Sequence, residues 1–108
     1  MTANIWNHSQ WIEITKKDEL CIMFNDILAK SGFKILNFCE HHFTPQGYTA
    51  LWLLGESHFA LHTFPEFGKT YIELSSCNKN YFVNFLQLLE DKLEIWQTSR
   101  IYDRANIN

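Results

Sequence analysis

The feature that most constrains the fold is a series of short alternating segments between two helical ones. From residue 33 to 77, hydrophobic and polar residues alternate in four segments separated by turn sequences such as TPQG and PEFG. A period of two is typical of strands, and turns this short join neighbouring antiparallel strands. The sequence therefore predicts four hairpin-linked strands, at 33–43, 48–55, 58–64 and 70–77.

The segments on either side follow a helical period instead. Large apolar residues recur at spacings of three and four after Thr15, which predicts a helix that starts there and ends at Gly32. A second stripe of the same kind predicts a helix over 78–94, capped by Asn78 or Asn80. The two stripes are Leu20, Met23, Phe24, Ile27, Leu28 and Phe82, Phe85, Leu86, Leu89, Leu93.

A short alternating segment at 9–14 predicts one more strand, ahead of the first helix. This order of elements predicts an α+β fold, a two-layer sandwich over 1–108 as a single domain, with both helices on one face of an antiparallel sheet. We expect the other face to carry residues such as Trp52, Phe59 or Leu61. An apolar face of that size needs a cover, so we expect two copies to stack sheet on sheet as a dimer.

Composition and charge exclude several classes of protein. Hydrophobic residues make up 46% of the chain, which suffices for a packed core. The net charge is −3 and no Lys/Arg cluster is present, so we expect no nucleic-acid partner. The apolar runs are too short for a membrane span, and no secretory signal pattern opens the chain. Three cysteines without a CxxC spacing predict a reduced, cytoplasmic protein in which Cys21 and Cys39 are buried.

Histidine, cysteine and glutamate residues in the predicted sheet raise the possibility of a zinc site. Adjacent His41 and His42 must point to opposite faces of a strand, and no spacing matches a known zinc motif. We therefore expect no metal. The side chains considered are Cys39, Glu40, His41, His42, His58 and His62.

A serine hydrolase is the next alternative, and the spacing argues against it. The sequence GES lacks the last glycine of a G-x-S-x-G elbow, and Ser57 and His62 fall on opposite faces of any regular strand. A serine can instead attack the carbonyl of the residue before it, here Glu56. An N→O acyl shift, loss of the serine α-proton and hydrolysis of the resulting enamine would then leave a pyruvoyl group at position 57. The spacing is compatible with this chemistry and does not establish it.

The run GESHFALHTFPEFGKTYIELSSC, with HHFTPQGYTA ahead of it, resembles the prokaryotic-type pyruvoyl-dependent S-adenosylmethionine decarboxylase proenzyme family. The resemblance covers roughly residues 33–95. It combines an ESH triplet, a histidine five residues after the serine, a Pro-Glu-aromatic-Gly turn and a cysteine twenty residues after the serine. The matching residues are Glu56, Ser57, His58, His62, Pro65, Glu66, Phe67, Gly68 and Cys77.

The resemblance implies that the chain cuts itself between Glu56 and Ser57, giving fragments 1–56 and 57–108 with a pyruvoyl group on the second. That group would form a Schiff base with S-adenosylmethionine and accept electrons as CO₂ leaves. The product would be decarboxylated S-adenosylmethionine, the aminopropyl donor for spermidine and other polyamines. The family is described as a homodimer whose sheets pack together, with active sites near the interface.

The resemblance also implies roles for individual residues. Cys77 would return a proton to the substrate, His62 would take the Ser57 α-proton during cleavage, and Thr49 would assist processing. The expected substrate-binding residues are Phe43, Phe64 and Glu66, with Phe64 in place of the usual tryptophan. Two alternatives stay open at this point: a decarboxylase of arginine or ornithine from the same family, and a homologue that does not mature and regulates an active partner.

Overall fold

The computed structural model describes residues 3–105, and side chains as far as Arg100. In this part of the chain, one sheet of five strands packs against two helices. A short 3₁₀ turn, Pro65–Phe67, joins two of the strands. The strands are β1 Trp6–Ile12, β2 Ile35–His42, β3 Tyr48–Leu54, β4 Ser57–Phe64 and β5 Lys69–Ser76, and the helices are α1 Lys17–Ser31 and α2 Lys79–Ala105.

The sheet is antiparallel throughout, in the order β1-β5-β4-β3-β2. Strands β2 to β5 follow one another through hairpins, and β1 lies at the far edge beside β5. Both helices cover the same face, where Phe24 of α1 contacts Phe59 of β4 and Phe85 of α2. The predicted α+β two-layer fold is confirmed. Within residues 3–105, no helix is both long and apolar enough to cross a membrane.

The prediction for the uncovered face is wrong. Trp52, Phe59 and Leu61 are all fully buried beneath the helices. Their neighbours Leu51 and Leu53 are 45% and 53% exposed on the opposite side of the sheet. The segment ALWLL is apolar at every position, so its alternation has no readable phase. The bulkiest side chains face the helices, where burial removes most apolar surface from water.

We call the side of the sheet away from the helices the open face. Alternation along each strand, together with the pairing between strands, assigns residues to it. Its side chains include Trp11, Cys39, His41, Thr49, Leu51, Leu53, His58, His62, Phe64 and Tyr71.

Several element boundaries differ from the prediction. Strand β1 covers Trp6–Ile12 rather than 9–14. Helix α1 starts at Lys17, and the residue before it makes no side-chain cap, so the predicted start at Thr15 is wrong. Helix α2 continues to Ala105, well beyond the predicted end.

The predicted stop at Gly32 and the cap at Asn78 are both confirmed. Gly32 has a φ of 112°, and its N–H bonds to the carbonyls of Leu28 and Ala29. Asn78 Oδ1 accepts a hydrogen bond of 2.9 Å from the Tyr81 N–H, which satisfies one free donor at the start of α2.

Strand β2 contains an irregularity that alternation alone does not predict. Strict alternation puts Ile35 and Asn37 on one face. In the structure the register shifts between them, so Ile35 pairs with buried Leu54 and Asn37 pairs with exposed Leu53. The shift has the form of a β-bulge, which moves the following residues to the other face.

Replacing Gly32 with alanine is expected to destabilise the fold far more than the same change at Gly68. Both glycines have positive φ, 112° and 67°. A Cβ on Gly32 would lie 2.6 Å from Tyr81 Cε1, whereas nothing lies within 4 Å at Gly68. We expect Gly68→Ala to lose about 1 kcal/mol of unfolding free energy and Gly32→Ala about 2–4 kcal/mol, measured by urea unfolding. Equal losses of unfolding free energy in the two variants would show that the contact with Tyr81 adds no cost at Gly32.

Candidate active site

The Glu56–Ser57 bond lies in the tight turn between β3 and β4. Leu54 pairs with Ser57 across the hairpin, so only Gly55 and Glu56 form the turn. Glu56 has a φ of 58°, in the left-handed region, which costs a residue other than glycine about 1–2 kcal/mol. The Gly55 N–H is anchored to the Lys34 carbonyl at 3.0 Å. The peptide bond that carries the predicted cleavage is therefore held in a strained, anchored turn.

The Ser57 side chain is enclosed by the end of β5. It is only 7% exposed, and its Oγ lies 3.3 Å from Ser76 Oγ, to which it donates a hydrogen bond. The Cys77 N–H donates to Ser57 Oγ, also at 3.3 Å. Ser76 in turn bonds to both backbone polar groups of Asn78, at 3.0 Å each. We call Ser57, Ser76 and Cys77 the Ser57 end of the sheet.

Ser76 is a residue that the sequence reasoning missed. It is fully buried and stands directly opposite Ser57 in the β4–β5 ladder. In the sequence it is an ordinary strand residue of SSC, and only the pairing register shows that the two hydroxyls meet.

A second polar pair lies on the open face. Thr49 Oγ1 is 2.9 Å from His62 Nδ1, because the two residues are directly opposed in the β3–β4 ladder. The ring of Tyr71 stacks beside His62, with 6.5 Å between ring centroids. These neighbours fix the orientation of the imidazole on the open face.

The expected substrate-binding residues cluster near this pair. Phe43 is half exposed, and the loop that follows it brings Gln46 Nε2 within 3.0 Å of Glu66 Oε2. Phe64 ends β4 and packs against Trp11, with ring centroids 5.6 Å apart. All lie at the end of the sheet opposite Ser57. We call Phe43, Thr49, His62, Phe64 and Glu66 the His62 end.

Within one chain the two ends are well separated. Ser57 and His62 belong to the same regular strand, five residues apart, which corresponds to about 16 Å. Their side chains point to opposite faces, as predicted, since Ser57 pairs with buried Ser76 and His62 with Tyr71 of the open face. The structure thus brings together Ser57 with Cys77, and Thr49 with His62, and it does not bring His62 to Ser57.

The cysteines only partly follow the prediction. Cys39 is exposed on the open face, so its predicted burial is wrong; in the bulged edge strand β2 it has no helix above it. Cys21 is half-buried, with its sulfur 3.3 Å from the Tyr48 hydroxyl. Cys77 is exposed beside Ser57, and all three thiols are free.

Charged residues at the β2–β3 edge hold the start of α1. Lys17 Nζ lies 3.1 Å from Glu40 Oε1 and 3.4 Å from His42 Nε2. A hydrogen bond from the Tyr48 hydroxyl, and then the Lys17 ammonium, lowers the pKa of Glu40 below its ordinary value. His41 lies on the open face, so it and His42 point to opposite sides as predicted. Among the described residues, no three His, Cys, Asp or Glu side chains converge as metal ligands.

Fold and site together define a class of protein: a two-layer α+β sandwich with a buried serine directly after a strained hairpin turn and a free cysteine beside it. The family model "S-adenosylmethionine decarboxylase" matches residues 2–102. The chain belongs to that family, and the resemblance inferred from its motifs is confirmed.

Individual relatives agree with this assignment. The S-adenosylmethionine decarboxylase proenzyme of Prochlorococcus marinus (strain MIT 9211) is 38% identical over 65 residues, 59% of this chain and 53% of that protein. The proenzyme of Geobacillus kaustophilus (strain HTA426) is 41% identical over 54 residues, 50% of this chain and 44% of that protein. The chain thus spans about half the length of the curated relatives it matches.

A solved structure shares the fold. The crystal structure of the adenosylmethionine decarboxylase from Aquifex aeolicus superposes with a TM-score of 0.63 at 18% identity, covering 76% of this chain and 68% of that one.

Proposed function

We propose that this chain is a self-processing, pyruvoyl-dependent S-adenosylmethionine decarboxylase that supplies an aminopropyl donor for polyamine synthesis. The observation that carries the proposal is the environment of Ser57. The buried Ser57 hydroxyl donates a hydrogen bond to Ser76 and accepts one from the Cys77 N–H. The residue before it, Glu56, has a positive φ. In a member of this family, that arrangement fits a peptide bond prepared to rearrange.

The residues at the Ser57 end fit the formation of a pyruvoyl group. Ser57 Oγ bonds to the Glu56 carbonyl carbon, the C–N bond breaks, and the hydroxyl proton moves to the nitrogen. Loss of the Ser57 α-proton then expels Glu56 as a carboxylate and leaves an enamine at position 57. Water hydrolyses the enamine to the pyruvoyl group and ammonia. The Cys77 N–H stabilises negative charge that develops on Ser57 Oγ. A pyruvoyl group at this position supplies an electron sink for decarboxylation.

We propose that the complete site forms between two copies of the chain. The open face exposes Leu51, Leu53 and Trp11, which supports its burial against a second sheet. Two such chains can be related by a two-fold axis that lies between their stacked open faces, perpendicular to the strands. The strands of one chain then run opposite to those of the other. The axis therefore sets the His62 end of one chain against the Ser57 end of the other, at the sheet spacing of about 10 Å. This arrangement overcomes the separation of Ser57 and His62 within one chain.

In this proposal the two ends have different tasks. Cys77, exposed beside Ser57, returns a proton to the substrate. His62, oriented by Thr49, takes the Ser57 α-proton of the partner subunit during cleavage.

The exposed ring of Phe43 stacks on adenine, and the Glu66 carboxylate accepts hydrogen bonds from the ribose hydroxyls. Phe64, which lies at the same end of the sheet, contributes to the adenosine-binding site. The three free thiols fit a reducing cytoplasm.

The substrate is tested by CO₂ release from carboxyl-labelled S-adenosylmethionine, arginine and ornithine. We expect release from S-adenosylmethionine only, and none from any of the three with the Ser57→Ala variant. Glu66→Gln should raise KM for S-adenosylmethionine by about 10-fold while leaving self-cleavage intact, because it removes charge-assisted hydrogen bonds to the ribose. Release from arginine or ornithine instead would contradict the proposed substrate. An uncleaved protein without activity would indicate a regulatory homologue.

A further inference from the structure

Each hydrogen-bonding position of the Ser76 hydroxyl has a partner in the structure. A serine hydroxyl offers one donor and two acceptor positions. Ser76 donates to the Asn78 carbonyl and accepts the Asn78 N–H, each at 3.0 Å. One acceptor position is left, and it faces Ser57 Oγ at 3.3 Å. The side chain is fully buried, so water does not compete for that position.

This arrangement determines where the Ser57 proton points. Because the only proton of Ser76 is committed to the Asn78 carbonyl, the bond between the two hydroxyls can form only with Ser57 as donor. Ser57 Oγ also accepts the Cys77 N–H, which occupies one lone pair. The remaining lone pair is the one available to attack a carbonyl.

We propose that Ser76 is a positioning residue for self-cleavage: it holds the Ser57 O–H so that a lone pair, and not the proton, is directed at the Glu56 carbonyl. The inference rests on the proposed self-processing function. Ser76 is not the base, since its Oγ keeps its own proton, which it donates in a hydrogen bond to the Asn78 carbonyl, and a neutral alcohol is a poor proton acceptor. Its contribution is a fixed rotamer for the nucleophile.

The proposal assigns the effect of Ser76 to one chemical step. In the N→O shift, Ser57 Oγ bonds to the Glu56 carbonyl carbon, the C–N bond breaks, and the proton moves from Oγ to the Ser57 nitrogen. The ester that forms has no proton to donate to Ser76. Ser76 therefore assists formation of the ester and has no part in its elimination. His62, as the base for the α-proton, acts only after the ester exists. Variants of the two residues should therefore stop at different steps: Ser76 variants before the ester forms, and His62 variants after it has formed.

The test compares Ser76→Ala with a matched control in the same strand. Thr70 is also fully buried, and its hydroxyl donates a 2.7 Å hydrogen bond to the Ile14 carbonyl, far from Ser57. We expect Ser76→Ala to slow cleavage by about 10- to 100-fold, as followed by intact mass, because one positioning hydrogen bond is lost. Thr70→Val should cleave at the wild-type rate. Ser76→Cys, which is close to serine in size and accepts hydrogen bonds weakly, should be slowed as well.

Hydroxylamine separates the steps, since it cleaves esters and spares amides. We expect it to cut His62→Ala, which accumulates the ester, and to leave Ser76→Ala whole. Wild-type cleavage rates in folded Ser76→Ala and Ser76→Cys, or ester accumulation in them, would overturn the role of Ser76. A wild-type protein that never cleaves would instead overturn the proposed function itself.

Discussion

Replacing Ser57 with alanine is expected to leave the chain in one piece of 12.8 kDa, whereas the wild-type protein separates into fragments 1–56 and 57–108. Alanine has no oxygen to attack the Glu56 carbonyl, so the loss is complete rather than partial. It also has no hydroxyl to bond with Ser76 or the Cys77 N–H. Intact-mass spectrometry after incubation at neutral pH measures both species directly.

A neighbouring serine provides the control for this experiment. Ser75 lies in the same strand as Ser76, but it pairs with His58 rather than with Ser57. Ser75→Ala should therefore cleave like the wild type and release a fragment with a carbonyl that hydrazine traps. Wild-type protein that stays whole and carries an ordinary serine at position 57 would disprove the self-processing proposal.

Chains with His62→Ala are expected to cleave poorly alone and to recover when they are co-expressed with Ser57→Ala chains. The reason is the separation of about 16 Å between the two residues along β4, which prevents His62 from serving its own Ser57. In a mixed dimer of the proposed arrangement, the intact His62 of the Ser57→Ala chain would face the intact Ser57 of the other chain. At equal expression, random pairing places about half of the His62→Ala chains in such dimers, which sets the maximum early recovery.

The two chains are distinguished by different affinity tags and by mass. Only the His62→Ala chain should be cut, since the other lacks a nucleophile. A chain carrying both substitutions is the control, and it should rescue nothing. If His62→Ala cleaves at the wild-type rate by itself, or if mixing never restores cleavage, the proposal that the base comes from the partner subunit is wrong.

Local patterns in the sequence were sufficient for the elements and the family. The helical stripe ending in Gly32 predicted α1, because an apolar stripe and a left-handed glycine are local requirements of a packed helix. The turn sequences predicted the hairpins, because the residues of a short turn are also selected by local backbone geometry. The combination of ESH, His62 and Cys77 identified the family, since a motif of several fixed residue types at fixed spacings rarely occurs by chance.

Three features were decided only by the tertiary structure. The phase of ALWLL depends on which side the helices pack, so Trp52 is buried and Leu53 is exposed. The partnership of Ser57 with Ser76 depends on the register between β4 and β5. The distance between Ser57 and His62 depends on β4 remaining regular from its first residue. All three are relations between segments distant along the chain or over a whole strand, and they are fixed by packing and pairing rather than by local preference.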